Sequence, residues 1–162
     1  MTLLSKALML AAFLTASAFA AVPEDACKLV TQAQVSAAIG AAVDAGTHVT
    51  PTFLKTCTWA TSAGSGSAIK YVTLHVQSAD SYDAGKKIMQ MQAMQAKAGE
   101  ASVTAVSGVG DDAYFLTLGT VTTSINGKKG ATAFKVEIYG NVAADKKHAM
   151  EKALAVEVVS KL

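Results

Sequence analysis

Three textures of apolar and polar positions follow one another along this chain. An unbroken apolar run fills Ala7 to Leu14, with Lys6 before it and small or hydroxylated residues up to Ala20 after it. Beyond Ala26 the apolar positions become periodic. Thr31 with Gln34 three residues on makes a capping box, Val30 and Val35 form a hydrophobic staple across it, and Gly40 supplies the stop, which predicts a helix ending at Ile39. The period then drops to two. Cys57 and Trp59 share one face of a predicted strand; Val72, Leu74 and Val76 share one face of the next, with Tyr71, Thr73 and His75 on the other.

A long helix is predicted from Asp80 or Ser81 to Gly99. Ala84, Ile88, Met91, Met94 and Ala98 fall on one apolar stripe, which is expected to face the core, leaving Met89 exposed. Strands return over Ala113 to Leu118, Val121 to Ile125 and Ala131 to Tyr139, the last two joined by a hairpin around Asn126-Gly127. A final helix, capped by Asn141, carries Met150, Leu154, Val158 and Leu162 at i, i+4 spacing, with Glu157 intruding on that face. The order helix, strands, long helix, strands, helix predicts an α+β fold: an antiparallel sheet with helices packed on one face. The second half repeats the element order of the first without a residue-level repeat, and no linker divides the chain.

The apolar run adds an address. Lys6, the short hydrophobic core and Ala18 and Ala20 at the −3 and −1 positions make a three-part secretory signal, cut after Ala20. The run is too short for a membrane-spanning helix, which needs about 20 apolar residues. The expectation is a leader over 1–20, one domain over 21–162, a periplasmic or secreted location, and no stable membrane insertion once the leader is removed. No cysteine stands at the cleavage site to accept lipid. The chain is close to neutral, +2 with the leader included, so no electrostatic footprint for nucleic acid exists. Every basic residue is lysine, which removes the planar fork that favours phosphate and carboxylate recognition. In an exported chain the even pair Cys27 and Cys57 reads as a disulfide; the alternative is a two-cysteine metal or redox site, which lacks C-x-x-C spacing.

Candidate chemistry is sparse. Gly108, Gly110, Asp111, Asp112 and Tyr114 form the most pointed motif, a turn that can hold a ligand or partner. A nucleotide loop needs a helix after its glycines and a calcium loop needs more regularly spaced oxygens, so a tight turn feeding a strand is favoured. Met89, Met91 and Met94, with His75 upstream, resemble methionine-rich Cu(I) sites, but the stripe divides the three sulfurs between two faces. His48, His75 and His148 lie far apart in the chain without ligand spacing. No G-x-S-x-G elbow supports a hydrolase triad.

The segment Asp25-Ala26-Cys27-Lys28-Leu29-Val30-Thr31, the Cys57-Thr58-Trp59 strand and the turn Gly108-Val109-Gly110-Asp111-Asp112-Ala113-Tyr114 occur in one order. That order resembles a group of small bacterial secreted proteins and lipoproteins of unknown function, over most of the mature chain. The resemblance implies a Cys27–Cys57 bridge and an α+β fold, and no activity. The functional expectation is a non-enzymatic exported binding or accessory module of the cell envelope, without cofactor, whose partner is an envelope or extracellular protein. The alternatives are a periplasmic Cu(I)-handling protein using the methionine helix and, third, a small hydrolase with an unrecognised site.

Overall fold

The computed structural model describes residues 22–97, 99–120 and 122–162; the expected leader and its cleavage site lie outside the described residues, as do Ala98 and Val121. Helix α1, Gln32–Ile39, is bounded as its sequence dictates. The Thr31 hydroxyl accepts from the Gln34 backbone N–H, the Gln34 side chain accepts from the Thr31 N–H at 2.9 Å, and Gly40 closes the helix at φ 66°. The chain continues through β1 (Thr47–His48), β2 (Thr56–Ala60), β3 (Ile69–Ser78), α2 (Ala79–Gln95), β4 (Ala101–Ala105), β5 (Asp112–Leu118), β6 (Thr122–Lys129), β7 (Thr132–Gly140) and α3 (Ala144–Lys161). The strands form one antiparallel seven-stranded sheet in the order β1-β2-β3-β7-β6-β5-β4. The α+β class and the element order are those the sequence predicts.

Alternation along the strands decides what each face buries. Trp59, Val72, Leu74, Val76, Ile125, Phe134, Val136 and Ile138 point to one side, where they pack with Val35 of α1 and Leu154 and Val158 of α3. The Cys27–Cys57 disulfide, Cα–Cα 5.0 Å, ties the chain before α1 to β2 beside this core.

The long helix departs from the one-face expectation. Tyr82 of α2 packs against Val103, Tyr114, Leu116 and Ala133, which register places on the opposite side from Phe115, Ile125 and Phe134. Helices therefore cover both faces, α1 and α3 on one and α2 on part of the other. Polar anchors fix this placement. The Tyr82 hydroxyl donates to Asp112 Oδ2 at 2.9 Å, Lys86 Nζ approaches the same oxygen at 2.5 Å, and Lys128 Nζ reaches Asp83 at 2.6 Å. The half-buried side of α2 carries Gly85, Lys86, Met89 and Ala93. The expected core stripe points to solvent instead, with Ile88 47 %, Met91 50 % and Met94 79 % exposed.

Two local assignments also change. Asn126 and Gly127 lie inside β6, and the β6–β7 turn is the two-residue Gly130-Ala131 connection between the paired Lys129 and Thr132. Gly130 takes φ 57°, the hairpin conformation that glycine adopts without strain. Gly127 serves packing: it faces Phe134 across the ladder, and a Cβ there would stand 2.6 Å from the ring. Asn141 does not cap α3, whose N-cap is Ala143; its backbone N–H is spent on Ala68 O at 2.9 Å, holding the end of β7 to the start of β3.

Helix α3 also buries charge-bearing side chains. Glu151 is fully buried and Lys147, one turn earlier, nearly so. The β6–β7 ladder ends at Ser124 and Glu137, and the Glu151 carboxylate sits just past that end. There it accepts from the Thr123 hydroxyl at 2.8 Å and from the backbone of Ile138. Its second oxygen has no hydrogen-bond partner among the described residues. Burial raises its pKa to about 7; the Thr123 and Ile138 hydrogen bonds oppose the rise, the Glu137 charge adds to it and Lys147 opposes it.

Candidate functional site

The glycine–aspartate turn is occupied by the fold's own groups. Gly108 and Gly110 adopt φ 77° and 59°, and a Cβ on Gly110 would stand 2.3 Å from the Lys128 carbonyl oxygen. Asp111 accepts from the Gly130 N–H at 2.7 Å and donates its own N–H to Lys128 O at 2.8 Å, which pins the turn to the β6–β7 hairpin. Asp112 holds α2 through Tyr82 and Lys86. Burial works to raise its pKa, but the Lys86 and Tyr82 hydrogen bonds and the Lys86 and Lys128 charges win and hold it below the usual carboxylate range. Tyr114 is buried, and burial with the Asp112 charge raises its hydroxyl.

The structure does not gather the methionines. Met89 lies half-buried on the sheet side of α2, while Met91 and Met94 lie on its outer surface. The expectation that Met91 and Met94 are core residues is overturned, because the polar anchors of Tyr82, Asp83 and Lys86 set the rotation of the helix. Met91→Ala is accordingly expected to change stability by no more than about 0.5 kcal/mol in urea denaturation, as at other exposed positions.

The three histidines stand in three separate settings. His148 of α3 stacks on Phe115 at 4.1 Å and lies 3.2 Å from the Thr117 hydroxyl. His48 of β1 lies beside the disulfide, its Nδ1 3.6 Å from Cys27 Sγ. His75 of β3 points away from the core, 2.8 Å from the Thr56 hydroxyl and stacked with Phe53 at 6.2 Å. Burial and the Lys135 charge lower its pKa.

His75 belongs to a surface that no linear motif announces. Helix α2 crosses the far half of its sheet face, toward β4, and leaves the near half as a field of mixed side chains. Register aligns Thr58, Thr73 and Glu137 in one row, Thr56, His75 and Lys135 in the next, and Ala60, Tyr71 and Tyr139 in a third. Tyr71 and Tyr139 stack at 4.3 Å and line an open groove with Lys70, Gly140 and Asn141. Lys135 Nζ and Glu137 Oε2 pair at 2.9 Å. Burial pushes the Tyr139 hydroxyl up, helped by its hydrogen bond to Glu137. Except for buried Glu137 and exposed Ala60, these nine row residues are half-buried. The margin is the segment around 49–54, where Val49, Phe53 and Leu54 are 65 %, 46 % and 36 % exposed. The one legible signal was the alternation in β3, which already put Tyr71, Thr73 and His75 off the core face.

Among the described residues, no helix is long and apolar enough to cross a membrane. No protein-family model matches the chain, and no curated protein or solved structure matches it either.

Proposed function

We propose that the protein is an exported binding module that engages an envelope or extracellular protein through the uncovered half of its sheet. The observation that carries this reading is the stacked Tyr71–Tyr139 pair and the Phe53–His75 contact on the half of the sheet face that α2 leaves uncovered. Protein interfaces are enriched in aromatic residues and depleted of unpaired charge at their centres. Here the aromatic rings are flanked by hydroxyls, and the two charges at the centre, Lys135 and Glu137, neutralise each other. Export is supported by the three-part leader pattern and by the disulfide, which persists in oxidising compartments.

The test is site-specific photo-crosslinking in the exporting cell, with the full chain expressed and the crosslinker placed at Phe53, at Tyr71 or at Val156. Val156 lies on the outer side of α3 and is 47 % exposed. A discrete protein adduct from Phe53 and Tyr71, absent from Val156, is expected. Identical patterns from all three positions, or no adduct from any, would overturn the reading.

A further inference from the structure

The Cys27–Cys57 bridge presents its two sulfurs unequally. Cys57 is fully buried in β2, whereas Cys27 is partly exposed. The Cys27 sulfur has polar company. His48 Nδ1 stands 3.6 Å from Cys27 Sγ, and His48 Nε2 stands 3.4 Å from Asp25 Oδ1, the oxygen that also accepts the Cys27 backbone N–H at 2.9 Å. The sulfur, an imidazole nitrogen and a carboxylate oxygen lie within 4.8 Å of one another, and all three residues are partly exposed. Two further groups face this set: the Thr56 carbonyl at 3.2 Å from His48 Nδ1, and Lys28 Nζ at 3.7 Å from Asp25 Oδ2. Register sets His48 opposite Cys57 on the paired strand. On the buried side the setting differs: a Cβ on Gly46 would stand 2.7 Å from Cys57 Sγ, so backbone packs against that sulfur.

We propose that Cys27–Cys57 is an exchange-competent redox centre that oxidises a dithiol, with Cys27 the attacked sulfur and His48 its proton partner. A substrate thiolate attacks Cys27 Sγ. The bond to Cys57 breaks, a mixed disulfide forms, and Cys57 leaves with the bond's electron pair and takes up the proton released by the attacking thiol. The second substrate thiol then attacks its own sulfur in the mixed disulfide and expels Cys27 as a thiolate. His48, held by Asp25, takes the proton that the second substrate thiol gives up and, so charged, stabilises the departing Cys27 thiolate; a more stable leaving thiolate departs faster. The substrate loses two electrons in forming its disulfide, and the protein gains them as a dithiol. A small-molecule disulfide of the glutathione class returns the pair to the oxidised state. Asp25 acts as a positioning residue. The centre lies at the β1 edge on the core side of the sheet, so it is independent of the binding face proposed above.

The test uses the exported mature protein, its His48→Gln variant, which keeps a polar side chain near the Thr56 carbonyl, and Asp25→Asn. Each is equilibrated with reduced and oxidised glutathione and trapped by alkylation, and circular dichroism checks that each is folded. Thiolate ultraviolet absorbance is followed against pH in the reduced proteins. Wild type is expected to be reduced while still folded. His48→Gln should shift the equilibrium about tenfold toward the disulfide and move the Cys27 thiolate titration to higher pH, with Asp25→Asn moving both in the same direction. A bridge that yields only when the protein unfolds would overturn the proposal, and so would identical titrations and equilibria in wild type and His48→Gln. If a reduced protein is not folded, the rate of mixed-disulfide formation on the oxidised, folded proteins decides: modification at Cys27 supports the centre, and an inert bridge ends it.

Discussion

Glu151 alone is expected to remove about 3 kcal/mol of stability as the pH rises from 4.5 to about 7. In the unfolded chain this carboxyl releases its proton near pH 4.5, whereas in the folded protein burial makes it keep the proton to about pH 7. Between those values the folded state binds more protons than the unfolded one, so stability falls as pH rises. The contribution is fully present below pH 4.5 and lost above about 7. Glu151→Gln keeps the shape and removes the titration. Urea denaturation of both proteins across this window should show the variant gaining on wild type until it is the more stable at alkaline pH. Asp112, held below its usual range, acts in the opposite sense at acid pH, but it is common to both proteins and cancels in the difference. A difference that stays flat with pH would show that the buried carboxyl is already solvated or compensated.

Trp59→Ala is expected to cost about 3–5 kcal/mol. The ring is 2 % exposed and sits where α1, α3 and the sheet converge. The void beside it, lined by Val30, Val35, Leu74, Leu154 and Val158 among others, is about 10 Å³, too small for the surroundings to collapse into usefully. A Cβ on Gly46 would approach Trp59 Nε1 to 2.6 Å, so backbone closes the other side of the indole and resists refilling. Because Trp59 is the single tryptophan, unfolding of wild type and variant is compared by circular dichroism. A loss below about 1 kcal/mol would place the ring outside the core, in the range of surface substitutions.

What the sequence made legible was what its neighbours decide. The Thr31–Gln34 box, the Gly40 stop, the pairing of Cys57 with Trp59 on one face and the alternation in β3 and β7 all depend on contacts within a few residues. What stayed hidden depends on partners distant in the chain. The stripe Ile88, Met91, Met94 has the right period for a core face, yet Asp112 and Lys128 turn the helix by its polar side and by small residues. Asn126-Gly127 carries the strongest local turn signal, yet Phe134 needs the space over Gly127. Glu151 is fully buried beside the end of the β6–β7 ladder, a placement that no residue near it in the chain dictates. The near sheet face was half legible: its residues were known to face away from the core, but nothing local says that α2 stops short of them.

The sheet order has a kinetic consequence. The chain forms two meanders, β1 to β3 and β4 to β7, and each grows by pairing strands adjacent in sequence. They merge only through β3 and β7, whose first contact in sequence is Ser78 with Thr132. That junction must close a long loop before its hydrogen bonds repay the lost entropy, which is the feature of a topology that slows folding most. The Cys27–Cys57 link lies wholly ahead of β3. It restrains the first meander and brings the second no nearer, so the slowest encounter in assembling this protein is left to diffusion whatever the state of the thiols.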